Sequence, residues 1–253
     1  MPFCPNVQAA AVQTASMDAA AGRTAWWLDE RAHAGAEHLD ASFVAGFDRK
    51  SGYDPSEDID ALVAHGIDAN SLVVDLGAGT GTFAVAAAAV SARVIAIDVS
   101  PAMTAVLRRR VEEADVRNVT VVDAGFLSYE HDGPLVDAVF TRNALHQLPD
   151  FWKGIALERI ASLLRPGGVL RLRDLVFDFA PDEADERVES WIAGAVDDPV
   201  LGYTHEELAA HVRTEFSTYS WLLDVMLDRT GFDVVERSFR RHAYGTYTAL
   251  RRV

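Results

Sequence analysis

The chain is poor in cysteine, in lysine and in long apolar runs. Its one cysteine, Cys4, excludes any disulfide within the chain. A reducing, cytoplasmic setting is therefore expected. The longest wholly apolar run, Phe83 to Val90, falls far short of the roughly 20 residues that span a bilayer. No basic stretch precedes an apolar one at the N-terminus, so neither a secretory signal nor a membrane partner is expected. Lys50 and Lys153 are the only lysines, and the net charge is -15. Such a chain repels phosphate backbones, which disfavours a nucleic-acid partner. The one local basic excess is Arg237, Arg240, Arg241, Arg251 and Arg252, a pattern typical of solvated strand edges. Arginine in place of lysine, with abundant Ala and Asp, suggests a GC-rich bacterial genome.

What is present is enough for a core. Hydrophobic residues make up 49% and charged residues 24% of 253. Short apolar runs alternate with helical patterns. Strands are expected at Leu72 to Leu76, Val94 to Ile97, Val119 to Val122, Val136 to Phe140 and Val169 to Phe177. Helices are expected from Thr82 to Val90, after the Ser100-Pro101 cap, and from Asp150 to Leu164. Such alternation implies a mostly parallel sheet covered on both faces. After Phe179 the pattern changes. Residues 181–198 and 217–230 have helical character, and Thr204 to Glu207 forms a capping box for a helix to about Val212. Phe232 to Phe239 and His242 to Leu250 are so closely linked that they should pair antiparallel. Residues 1–22 show no period and are expected to be mobile. Residues 23–253 are expected to form one domain, with a helical N-terminal cap over 23–70 and a helical insertion over 180–213.

The chemistry concentrates in Asp75-Leu76-Gly77-Ala78-Gly79-Thr80-Gly81, at a strand-to-helix turn. Glycines there permit positive φ and close approach of a ligand to backbone amides. The spacing is G-x-G-x-G; a dinucleotide fingerprint would need Gly or Ala where Thr82 stands. Asp75, at the strand end, would repel a pyrophosphate but suits a ligand bearing ammonium and sulfonium charges. Asp98 closes the next strand, where an acid can accept ribose hydroxyls.

Four blocks in order carry a resemblance over about residues 40 to 250: VVDLGAGTG (73–81), VIAIDVSPAM (94–103), NALHQLPD (143–150) and LLRPGGVLRL (163–172). The chain resembles the class I S-adenosylmethionine-dependent methyltransferases. The resemblance implies a Rossmann-like, doubly wound α/β sheet of seven strands, mostly parallel with an antiparallel last strand. It implies S-adenosyl-L-methionine as cofactor and S-adenosyl-L-homocysteine as product. Asp75, Gly77, Ala78 and Gly79 would hold the methionine part and Asp98 the ribose. Val99 and Met103 would pack on adenine, with Gly125 and Phe126 beside it, and Asn143 would line the methyl end. The family often places an acid after its third strand, near the adenine amine. Here that position is Gly125, and Asp123 lies two residues early. The amine would then meet Asp123, a backbone group or water.

Methyl transfer from a sulfonium rests chiefly on positioning, so a base is needed only where the acceptor must lose a proton. His146 is either a base or substrate contact, or a structural residue. Asp174, Glu215 and Tyr219 are candidate substrate contacts. Lys50 and Tyr53 stand where they could approach the methionine end. Trp26, Trp27, Phe43 and Phe47 form either a core stripe or a cover over the site. The eight histidines are dispersed, so no metal is implied. The functional expectation is methylation of O, N or C on a small molecule. The alternatives are a protein of this fold with other chemistry or a sensor role, and a protein or RNA methyltransferase. The sequence leaves the oligomeric state open.

Overall fold

Side chains alternate between the faces of a strand, so a strand covered on both sides is apolar along most of its length. The computed structural model, which describes residues 25–253, shows this in β1 (Leu72–Leu76), β2 (Arg93–Asp98) and β4 (Val136–Arg142). Val73, Val94, Ala96, Ala138 and Phe140 join one core cluster with Phe83, Ala84 and Leu107. Val74, Leu76, Ile95, Ile97 and Val139 join another, with Leu157, Ile160, Leu223 and Leu227. The expected mobile stretch 1–22 and Cys4 lie outside the described residues.

The remaining strands are β3 (Val119–Asp123), β5 (Leu164–Phe177), β6 (Thr218–Tyr219), β7 (Phe232–Arg240) and β8 (Tyr244–Arg251). Seven of them run in the order β3-β2-β1-β4-β5-β8-β7, and β6 adds to β5 alone. β1 through β5 are parallel, whereas β8 is antiparallel to both β5 and β7. Because β1 has β2 on one side and β4 on the other, the strand order reverses at its end. Ligands of doubly wound sheets bind in the crevice outside the carboxyl ends at such a point.

Local signals set the helices. The Ser100 hydroxyl accepts from the Met103 amide at 3.2 Å, with Pro101 at the first position of helix Pro101–Glu113. Both halves of the Thr204–Glu207 capping box are made, opening helix His205–Thr214. Two expectations need correction. The helix expected over 181–198 is a short 3-10 turn followed by Ala184–Ile192. The helix expected from Ser217 begins at Ser220, because Thr218 and Tyr219 instead pair with Val176 and Phe177. A third cluster, Leu175, Trp191, Ile192, Leu208 and Ala243, packs these added helices against the sheet. No helix among the described residues is long and apolar enough to cross a membrane.

Candidate functional site

The carboxyl ends of β1, β2 and β4 open onto a cleft of about 1000 Å³, its mouth included. Asp75, Gly77, Ala78, Gly79, Asp98, Val99, Met103, Gly125, Phe126 and Asn143 all line it. The glycine turn is built as its composition requires: Gly77, Gly79 and Gly81 have φ of 74°, 54° and 87°. The Gly77 and Ala78 amides both donate to Ile97 O at 2.9 Å, which pins the turn to β2. Asp98 accepts from the Gly79 amide and the Ser100 amide, each at 2.8 Å. A carboxylate has about four lone-pair sites, so two remain for hydroxyl donors. Asn143 holds φ 49° directly after β4, a left-handed conformation that Asn tolerates better than most residues.

Asp75 is fully buried, and its Oδ2 has no hydrogen-bond partner among the described residues. Burial, and then the nearby Asp98 charge, push its carboxyl well above the ordinary carboxylate range. A buried carboxylate oxygen without a donor costs stability. An ammonium in the cleft would supply that donor, so the residues present fit an amino-acid-bearing cofactor. Burial also raises Asp98, against the pull of the Ser100 and Gly79 amides.

The N-terminal segment also lines the cleft: Phe47 and Tyr53 were candidates from the sequence, whereas Glu30, His38 and Asp48 were not. Asp48 pairs with Arg110 and accepts from Thr80, tying this segment to the glycine turn. The Tyr53 hydroxyl donates to Asp58 at 2.8 Å, and the Arg142 guanidinium lies over its ring at 4.1 Å. Glu30 is buried and accepts from the Leu127 amide at 3.0 Å and from the Ser128 hydroxyl. Its carboxylate occupies the space that a side chain at Gly125 would enter. The signal in the sequence was the missing acid at Gly125, but nothing local points from there to Glu30. Asp123, one of the residues considered for the adenine amine, is bound instead by Arg108 and Thr104.

The catalytic and substrate candidates lie elsewhere. His146 does not line the cleft; it is buried behind Gln147, which does. Its Nδ1–H donates to Asp174, and its Nε2 lies 2.9 Å from Glu215 Oε2. Burial alone would lower the imidazole, but the Asp174 and Glu215 carboxylates outweigh it and push it up to about 9. Glu215, although partly buried, is held far below the usual range by His146 and His211. Asp174 and Glu215 are not among the residues that line the cleft; both contact the buried His146. Tyr219 does not line the cleft either. Its place in β6 stacks it on Trp221 at 5.5 Å and against Phe179 at 5.9 Å. Lys50 pairs with Glu207 at 2.5 Å rather than reaching the cleft. Of the N-terminal aromatics, Phe47 lines the cleft, whereas Trp26 and Trp27 pack on Trp152 at 5.7 and 5.2 Å.

Comparison with known proteins agrees with this geometry. The family profile for a methyltransferase domain matches residues 73–168, from β1 into the start of β5. A demethylmenaquinone methyltransferase of Clavibacter sepedonicus is 37% identical over 100 residues, which are 40% of this chain and 39% of that protein. The match thus spans well under half of the relative's length. Magnesium protoporphyrin IX methyltransferase from Synechocystis PCC 6803, solved with bound SAM, superposes with a TM-score of 0.60 at 17% identity. It covers 90% of this chain and 100% of that one. Phosphoethanolamine N-methyltransferase 2 of Haemonchus contortus gives a TM-score of 0.64 at 15% identity, covering 90% of this chain and 61% of that one. At these identities the structural likeness is one of fold. The matched domain and this likeness show a methyltransferase domain on a Rossmann-like fold, similar to the class I S-adenosylmethionine-dependent methyltransferases.

Proposed function

We propose that the protein binds S-adenosylmethionine in this cleft and transfers its methyl group to O, N or C of a small molecule. The observation that carries the reading is the partnerless Asp75 oxygen in a cleft bounded by Gly77 to Gly79 and Asp98. S-Adenosylmethionine supplies a methyl on a sulfonium, already activated by its charge. Asp75 would accept from the ammonium and Asp98 from the ribose hydroxyls, while Val99 and Met103 flank the adenine. Glu30 would accept from the adenine amine, in the place that Gly125 leaves open. Asn143 would border the methyl end. Held in line, the acceptor gains roughly 7–11 kcal/mol from orientation, so no base need touch the reacting atoms. Residues 23–253 act as one domain in this reading, with 23–70 closing one side of the cleft.

A small acceptor suits the net charge of -15. Two of the C-terminal arginines are already paired, Arg237 with Asp224 and Arg252 with Asp228 and Asp233, which leaves less free charge for a polyanion. The test supplies methyl-labelled cofactor with a metabolite extract and separates the products by mass. Label in a low-mass product is expected. Label in protein or RNA would reassign the acceptor, and label that never leaves the cofactor would reject methyl transfer.

A further inference from the structure

Two histidines and a carboxylate converge behind Gln147, although His146 and His211 stand 65 positions apart in the chain. One nitrogen of each histidine and one Glu215 oxygen lie within 4.8 Å of one another. We infer that this cluster binds a divalent first-row transition ion of the zinc type, with His146 Nε2, His211 Nδ1 and Glu215 as ligands. The inference uses side chains outside the cleft and does not depend on the cofactor reading.

Both rings are held as metal-ligating histidines are. A ligating histidine has one nitrogen on the metal and donates the other N–H to an oxygen that fixes its tautomer and orientation. His146 Nδ1–H is taken by Asp174, and His211 Nε2 lies 2.7 Å from the Ser217 hydroxyl. The two remaining nitrogens both lie against Glu215 Oε2, at 2.9 and 2.8 Å, and His146 Nε2 is also 3.2 Å from Gln147 Nε2. Bonds of about 2.1 Å in tetrahedral geometry set ligands about 3.4 Å apart, so a small movement of Glu215 would open the space. Two imidazoles with one carboxylate favour zinc, cobalt, nickel or iron over magnesium or calcium, which prefer all-oxygen sets.

Backbone groups also hold this arrangement in place. The Phe216 amide donates to His146 O at 2.9 Å, and β6 is anchored on β5 two residues later. The His146 amide donates to Asp174 Oδ2 at 3.0 Å. His211 and Glu215 sit one turn apart at the end of helix His205–Thr214. The side chains of His146 and His211 are 5% and 9% exposed and that of Glu215 is 20%, so the remaining coordination position opens on the Glu215 side. Gln147 donates to Glu215 at 2.9 Å and also lines the cleft, which puts the metal one side chain from the proposed reaction.

The competing account is an imidazolium shared between two carboxylates, with no affinity for metal. The test titrates full-length, chelator-stripped, cofactor-free protein with Co²⁺ and follows visible absorption, then displaces it with Zn²⁺. One cobalt per chain in a low-symmetry site is expected. His211→Ala should abolish the signal, and Asp174→Asn should weaken binding about 10- to 100-fold through His146. Ser217→Ala, which removes only an outer partner of His211, should also weaken it and covers the case in which His211→Ala fails to fold. No stoichiometric uptake at micromolar free metal would overturn the inference. So would uptake unchanged in a folded His211→Ala or in Ser217→Ala.

Discussion

The Glu30 carboxylate fills the volume that a side chain at Gly125 would occupy. The two residues are far apart in sequence, and each limits what the other can be. If Glu30 serves the adenine amine, Glu30→Ala should weaken cofactor affinity about tenfold or more, the scale of a charge-assisted hydrogen bond. Gly125→Asp alone should also weaken binding, through its clash with Glu30. The double variant should recover the part of the loss that the Glu30 clash causes, while Val99 still crowds a side chain there. Calorimetry with S-adenosylhomocysteine reads this cycle, and strictly additive losses would count against it.

Asp75 gives a prediction on stability against pH. Its carboxyl is raised in the folded state by burial first and by Asp98 second. Such a group is destabilising by an amount that is absent below its unfolded value, grows as pH rises, and is complete above its folded value. Asp75→Asn should therefore raise the Tm of the cofactor-free protein at neutral pH, with the gain shrinking towards pH 4. Each kcal/mol relieved corresponds to about 2–4 °C. The same variant should bind cofactor more weakly. A lower Tm at pH 7 would contradict the account of Asp75.

Asp58 is completely buried and receives Arg171 at 2.9 Å, Arg173 at 2.8 Å and the Tyr53 hydroxyl. Asp58→Ala leaves Arg171, itself only 4% exposed, without its buried partner. Urea unfolding should show a loss of about 3–5 kcal/mol. A loss below about 1 kcal/mol would mean that water reaches Arg171.

Two glycines should respond oppositely to alanine. Gly77 has φ 74°, and a Cβ there would collide with Ala144. Gly77→Ala should destabilise by about 1–3 kcal/mol and reduce cofactor affinity. Gly154 lies in helix Asp150–Leu163 with nothing within 4 Å of its would-be Cβ. Gly154→Ala should stabilise by about 0.5–1 kcal/mol. Thermal unfolding of both variants checks the contrast.

What could be read from the chain was whatever is local. β1 begins and ends where its apolar run does, and the Ser100-Pro101 and Thr204–Glu207 caps start the helices their chemistry implies. The G-x-G-x-G turn, Asp75 and Asp98 lie within 25 residues of one another, and the structure puts them on one cleft. Contacts made across the chain left no such trace. Glu30 reaches Leu127 and Ser128 from nearly 100 positions away. His146 meets Asp174 through the pairing of β4 with β5, and His211 and Glu215 join them next to the point where β6 docks on β5; Thr218-Tyr219 is too short a strand to be distinguished from a helix start.

The central claim is that the Asp75–Asp98 cleft is a cofactor site. Calorimetry of the full-length protein with S-adenosylmethionine and S-adenosylhomocysteine tests it most directly. The account predicts one ligand per chain for each, with affinity much reduced in Asp98→Ala whose Tm stays near that of the wild type. Failure of both ligands to bind, or equal affinity in folded Asp98→Ala, would contradict it.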